Sequence, residues 1–415
     1  MRWLYSLAWY LALPAVALAL LFKPAWRRGW RARLGLIELH QRRGIWVHAA
    51  SVGEVQAALP LVEALRMHYP DVGVTLSAFT PSGFEHALRS VPNGVECTLS
   101  PFDFPGGASR FIARLRPRIA IVVETELWPN LFSECALTRV PLLIVSARIS
   151  DKAFASYRRF PRLIARTLAT PDVITAQTDA DADRLLALGA DPTRVTVGGN
   201  LKFDFELPAG LAERAERLRG QLAAKRPVWI AASTHEGEEA AALAAHRAIL
   251  ARVPDALLVL APRHPGRADA VDAMVRHAGM SVARRSARAL GEGAPQVYLL
   301  DTLGELAVFY GIVDVAFVGG TLAPIGGHNL LEPAALGVPL VCGPHVHQIT
   351  AMYALFEAAQ AVEPIADAAT LGDAVSRLLL DPALRARRGA VARAVLEQNR
   401  GALARVLHLV AGILR

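Results

Sequence analysis

Glu54 ends the stretch Ala49-Ala50-Ser51-Val52-Gly53-Glu54, directly after the apolar run Ile45-Trp46-Val47-His48. The pattern reads as strand, tight turn and helix, with Gly53 letting the backbone turn and Glu54 in the first helical turn. An acid in that place has two readings. Helix N-termini favour negative side chains whatever their role, and the same dipole lowers the pKa, which suits a general base poorly. A second carboxylate nearby, or loss of water, pushes the pKa back up. Glu124, at the end of Ile119-Ala120-Ile121-Val122-Val123, is the candidate partner. It is equally a candidate for a salt bridge to Arg148 at a neighbouring strand end. Two carboxylates without a metal-ligand motif suit deprotonation of an alcohol.

The second half of the chain carries residues suited to a phosphate. Gly319-Gly320 follow a buried apolar run, and Gly326-Gly327-His328-Asn329-Leu330-Leu331-Glu332 leads into a helix. Glycines there let backbone N–H groups approach an anion at a helix start. Asn329 or Glu332 would then read a ribose hydroxyl or a base edge, and Arg263, His264 and Lys202 add cationic or donor groups. Other chemistries lack their signatures. There is no G-x-x-x-x-G-K-[ST], no G-x-G-x-x-G after a first strand, and no H-E-x-x-H among the 12 histidines. Ser51 and Ser82 lack a G-x-S-x-G elbow. His235-Glu236-Gly237-Glu238-Glu239 reads as a helix N-terminus rather than a metal site. Cys97, Cys135 and Cys342 are isolated, which fits neither a structural zinc site nor a disulfide framework.

These residues need a scaffold that gathers them. Short runs rich in Val, Ile and Leu predict strands over 45–50, 73–79, 118–124, 141–146 and 172–178, and again over 227–233, 256–261, 296–300, 314–318 and 338–342. Helical stretches lie between them, among them 55–68, 82–90, 127–138, 180–188, 236–253 and 368–380. Such alternation predicts parallel sheets covered by helices. The charged helical stretch 206–225 reads as a linker between a domain over 36–205 and one over 226–415, with the last helix, 401–413, a candidate to cross back onto the first. Ligands of open parallel sheets bind beyond the carboxyl ends of the strands. Nearly every polar or glycine-rich cluster named above falls at such an end, and the two sheets are expected to face one another across a cleft.

At 415 residues, 53% of them apolar, the chain has material for two cores. Its net charge of +8 could serve nucleic acid, an anionic membrane or an anionic substrate. No nucleic-acid motif accompanies it. Residues 3–22 contain no charge and are long enough to cross a bilayer, with Trp3, Tyr5, Trp9 and Tyr10 placed as interfacial anchors. Lys23, Arg27, Arg28, Arg31 and Arg33 follow at once. A cleaved signal peptide has its charge before the apolar run, so 1–35 reads as an uncleaved anchor, single-pass or monotopic, and basic collar, with the remaining chain cytoplasmic; the alternative is a hydrophobic helix packed on the protein.

Several blocks together resemble the 3-deoxy-D-manno-octulosonic acid (Kdo) transferases. They are Ser51-Val52-Gly53-Glu54, Glu124-Thr125-Glu126-Leu127-Trp128-Pro129-Asn130, Gly199-Asn200-Leu201-Lys202-Phe203-Asp204, Ser233-Thr234-His235-Glu236-Gly237-Glu238, Pro262-Arg263-His264-Pro265 and Gly326-Gly327-His328-Asn329. The resemblance covers essentially the whole chain. It implies an α/β chain of the GT-B fold, with two Rossmann-like domains, and transfer of Kdo from CMP-Kdo to a lipid A precursor at the cytoplasmic face of the inner membrane, with no cofactor, metal or nucleic acid. It further implies that Glu54 is the proton acceptor and that Glu124 and Lys202 support the transition state. By the same resemblance Pro262, Arg263, Leu303, Gly304, Glu305, Asn329, Leu330, Leu331 and Glu332 bind CMP. Two positions depart from the family pattern: Leu330 stands where Pro is frequent, and Ala32 stands where Glu often precedes the arginine of Arg33-Leu34-Gly35. The rival readings are a GT-B transferase or epimerase using a UDP-sugar, and a membrane-tethered binding protein without catalysis.

Overall fold

The computed structural model describes residues 2–40, 42–223, 225–287 and 294–414; Met1 of the expected anchor and residue 224 of the expected linker lie outside them. The chain divides into two compact units, the first comprising Met1–Phe205 with Asn399–Arg415 and the second Glu206–Gln398.

The first unit holds a seven-stranded parallel sheet in the order β3-β2-β1-β4-β5-β6-β7. Its strands are β1 (Ile45–His48), β2 (Val74–Ala78), β3 (Val95–Leu99), β4 (Ile119–Val123), β5 (Leu142–Ala147), β6 (Val173–Ala176) and β7 (Val195–Val197). The central strands β1, β2, β4 and β5 are buried along their whole length, as a sheet covered on both faces requires. One face packs on Phe111, Ile112, Phe132 and Leu168, the other on Val55, Leu61, Leu65 and the C-terminal helix Ala402–Leu414 through Val406 and Val410. The return of that helix is secured by Asp204, whose two carboxylate oxygens accept from the amides of Gly401 and Leu403 at 2.6 and 2.9 Å.

The second unit repeats the plan with a seven-stranded sheet ordered β10-β11-β9-β8-β12-β13-β14. Its strands are β8 (Val228–Thr234), β9 (Leu257–Pro262), β10 (Val282–Arg284), β11 (Val297–Leu299), β12 (Val315–Val318), β13 (Leu340–Cys342) and β14 (Val362–Pro364). The stretch expected as a linker forms the helix Leu211–Leu222, whose Ala215, Leu218 and Leu222 are buried in this unit's core. An amphipathic helix needs a surface to bury its apolar stripe. The unit boundary therefore falls at Phe205, ahead of the helix.

In each sheet the strand order reverses beside the first strand, between β1 and β4 and between β8 and β12. A crevice at such a reversal, at the carboxyl ends of the strands, is where open α/β sheets bind ligands.

Candidate active site

At the reversal in the first unit, β1 delivers Ser51 to the N-cap of the helix Val52–His68. The Ser51 amide donates to the Glu54 carboxylate at 2.7 Å, and the two residues form a capping box. The helix-start reading of Glu54 thus holds, yet its pKa stands above the ordinary carboxylate value, first through burial and then through the negative charge of Glu124. Gly53 does not make the turn. It lies inside the first helical turn without a positive φ, and a Cβ there would meet nothing within 4 Å. Its consequence is open space beside Glu54.

Glu124 follows β4 at the other side of the reversal and holds φ 61°, a left-handed value that costs a non-glycine residue energy. Ser146 at the end of β5 does the same at φ 54°. Glu124 pairs with Lys202 at 2.6 Å rather than with Arg148, which is tied through its backbone to the Thr125 hydroxyl. Lys202 sits in the short 3-10 helix Leu201–Asp204, positioned by Asn200, whose side-chain oxygen accepts from the Lys202 amide at 2.9 Å. The Ser146 hydroxyl accepts from the Leu201 amide at 2.9 Å.

Glu126, not singled out in the sequence, completes the cluster. Burial, then the charge of Glu54, push its carboxyl up to about 8, with Glu124 adding to the effect. The signal was available only as proximity: Glu126 stands two residues after Glu124 in the same strand-end block Glu124-Thr125-Glu126. Below about pH 8 Glu126 is therefore held largely protonated beside Glu54.

At the reversal in the second unit, β8 ends in Ser233, again left-handed at φ 56°. His235 follows, its Nε2 2.8 Å from the Nε2 of His328, the rings stacked at 5.1 Å. His264, after β9, meets His235 edge-on at 5.9 Å. Burial, then His235 and Arg263, lower His328 to about 4, and burial also lowers His235. Both imidazoles are neutral at pH 7, so one Nε2 donates and the other accepts.

The glycine turn is differently engaged than its sequence suggests. Glu238, almost fully buried, accepts from the amides of His235, Gly320, Leu322 and Ala323 at 2.9, 2.7, 2.9 and 3.1 Å. The amides of Gly326 and Gly327 donate to the Gly320 carbonyl. A protein carboxylate thus occupies the nest expected for a phosphate, and the second unit offers Arg263, exposed at the end of β9, as its accessible cation there.

The remaining residues separate into two groups. Asn329 and Glu332 bond to each other at 3.3 Å, Asn329 also accepting from the Leu331 amide. Leu330 and Leu331 have buried side chains, as does Pro262, so these three reach a ligand only through backbone. Leu303 and Gly304 lie in the loop after β11, with Leu303 exposed, while Glu305 is paired with Arg285 at 2.6 Å, which holds its carboxyl below the usual range. A crevice of about 640 Å³ lined by Leu211, Ala215, Arg219, Gly311 and Leu336 lies instead toward the amino ends of β12 and β13, away from the strand ends that carry these residues. Among the described residues no group of three or more His, Cys, Asp or Glu side chains is placed to hold a metal ion.

Comparison with known proteins gives this geometry a context. A family model described as 3-deoxy-D-manno-octulosonic-acid transferase (kdotransferase) matches residues 28–205. The 3-deoxy-D-manno-octulosonic acid transferase of Haemophilus influenzae is 39% identical over 369 residues, covering 89% of this chain and 86% of that one. That of Bordetella pertussis is 39% identical over 374 residues, covering 88% and 86%. The solved UDP-GlcNAc 2-epimerase from Neisseria meningitidis covers 89% of this chain and 100% of its own with a TM-score of 0.60. Its identity of 13% makes that a likeness of fold alone.

Proposed function

This chain belongs to the 3-deoxy-D-manno-octulosonic acid (Kdo) transferase family and is a glycosyltransferase of the GT-B fold, and we propose that it transfers Kdo from CMP-Kdo to a lipid A precursor, lipid IVA, with inversion and without a metal. The observation that carries this reading is the crowd of carboxyls at the first reversal. Glu54 is raised by burial and by Glu124, which suits it to take a proton from an alcohol near neutral pH.

In the proposed reaction the acceptor hydroxyl gives its proton to Glu54 as its oxygen bonds to the anomeric carbon of Kdo. The bond from that carbon to the phosphate oxygen of CMP breaks, and CMP leaves with the electron pair. Glu124 and Lys202 support the transition state, with the Lys202 ammonium held 2.6 Å from Glu124 and available to a developing negative charge. Protonated Glu126 adds no second charge beside the base. In the second unit Pro262 and Arg263, the segment Leu303-Gly304-Glu305 and residues Asn329 to Glu332 hold CMP. Since Glu238 takes the loop amides, the leaving phosphate relies on Arg263. The apolar helix Arg2–Phe22 and the cations after it hold the enzyme on inner-membrane lipid, next to its acceptor.

Incubating the purified chain with CMP-Kdo and tetra-acylated lipid A precursor tests this, with mass spectrometry of lipid and nucleotide. Kdo-bearing lipid with release of CMP is expected. Consumption of a UDP-sugar instead, or lipid binding without product, would overturn the proposal.

A further inference from the structure

The helix Arg2–Phe22 has 21 residues, about 32 Å at 1.5 Å per residue, enough to cross a hydrocarbon core of about 30 Å. A crossing helix sets its first residues on the far side of the membrane from the folded unit and surrounds its flanks with lipid. Neither holds here. The Arg2 guanidinium donates to the Ser133 hydroxyl, and the Ser6 hydroxyl donates to the Asn130 side-chain oxygen at 2.8 Å, both partners on the helix Pro129–Leu137. Trp9 stacks on Phe102 at 5.8 Å and Tyr10 meets Phe104 edge-on at 5.9 Å.

The other end returns to the same surface. Trp26 lies edge-on to Phe79 at 5.7 Å. Arg33, fully buried, places its guanidinium 5.0, 4.9 and 5.5 Å from the rings of Trp26, Phe79 and Phe102. Phe102 therefore touches Trp9 inside the helix and Arg33 beyond its end. Between these moorings Tyr5, Ser6, Trp9, Leu13, Val16 and Leu20 are partly covered, at the spacing of three and four that marks one helix face. Leu4, Leu7, Leu11, Leu18 and Phe22 remain exposed.

We infer that this helix lies in the plane of one leaflet of an anionic bilayer, both ends on the side of the catalytic unit, and does not cross. An in-plane helix ordinarily needs a polar face toward water. Here the folded unit takes that face, so an all-apolar sequence can lie flat. Lys23, Arg27, Arg28 and Arg31 are exposed just beyond the helix, where an anionic surface attracts cations. Phe79 and Phe102 follow the carboxyl ends of β2 and β3, and the Phe79 amide donates to the carbonyl of Ala50. The leaflet thus meets the first unit on the side of its strands' carboxyl ends, the side that carries Glu54.

The inference rests on the membrane reading above but not on the reaction. Its test uses the full-length chain in native membranes, in a Cys97→Ser background. Arg2→Cys with Ser133→Cys is expected to be joined within one chain by a short bifunctional thiol cross-linker in most chains, because the Arg2 contact is made by its guanidinium and the two backbones stand an arginine's reach apart, beyond a disulfide's span. With an impermeant maleimide, Arg2→Cys alone is expected to label from the same membrane face as Lys152→Cys. Labelling from the opposite face, or no cross-link in a chain that retains activity, overturns the inference. Purified chain should also float with vesicles of phosphatidylethanolamine and phosphatidylglycerol. Failure to float, or cross-linking of Leu11→Cys between copies, assigns the exposed face to protein and overturns it too. Same-side labelling in a chain that transfers no Kdo would sink the transferase reading and leave the topology standing.

Discussion

Glu54 is pulled in two directions by its own neighbours. The Ser51 amide stabilises its carboxylate, and burial with Glu124 opposes that stabilisation. Glu126 is pushed further, to about 8, so the folded protein holds its proton more tightly than an unfolded chain would. The sign follows from linkage: the stabilisation is complete below the ordinary carboxylate range and is lost as pH rises through about 8. The melting temperature of the wild type should therefore fall between about pH 5 and pH 9, and Glu126→Gln should flatten that fall. A wild type as pH-sensitive as the variant would contradict the buried, protonated carboxyl. Glu54 could be singled out because a motif marked it. Glu126 was not separated from the same motif, because its raised pKa comes from burial and from Glu54, which is 72 positions away in the sequence and adjacent only once the sheet has formed.

The elements that sequence pattern missed share one property. Strands β3, β7, β10 and β14 are the four edges of the two sheets. Edge strands are half exposed, short and polar, as Val195-Thr196-Val197 and Val362-Glu363-Pro364 illustrate, so they lack the apolar run that exposed the central strands. The glycine turn after β12 was placed correctly and its amides assigned wrongly. Glycines tell where a backbone can curve, but not whether an anion inside the protein already fills the curve. Glu238, read as an ordinary helix-start acid, is that anion, and it fastens β8's helix to the loop after β12. Removing it would orphan several buried amides at once, at a cost of about 3–5 kcal/mol. Denaturant unfolding of Glu238→Ala should show that loss together with weakened CMP binding. A change under about 1 kcal/mol would mean water or another group replaces the clamp.

Across the whole molecule, the repeated α/β plan was readable, because alternation of apolar runs and helical stretches is a local signal, whereas the two strand-order reversals follow from long-range pairing. Where the stretch 206–225 packs was not readable. The helix Leu211–Leu222 carries charge enough to look like a connector but buries Leu218 and Leu222, and the C-terminal segment 399–415 rejoins the first unit through Asp204. Both depend on long-range packing. The proposed reaction divides the labour, with proton removal in the first unit and nucleotide holding in the second. Glu54→Gln separates the two. Glutamine still accepts from the Ser51 amide, so the capping box survives, while the proton acceptor is lost. The account predicts that this variant binds CMP within about twofold of wild type and transfers Kdo at least about 100-fold more slowly. Transfer within about tenfold of wild type, or loss of CMP binding in parallel, would contradict Glu54 as the base.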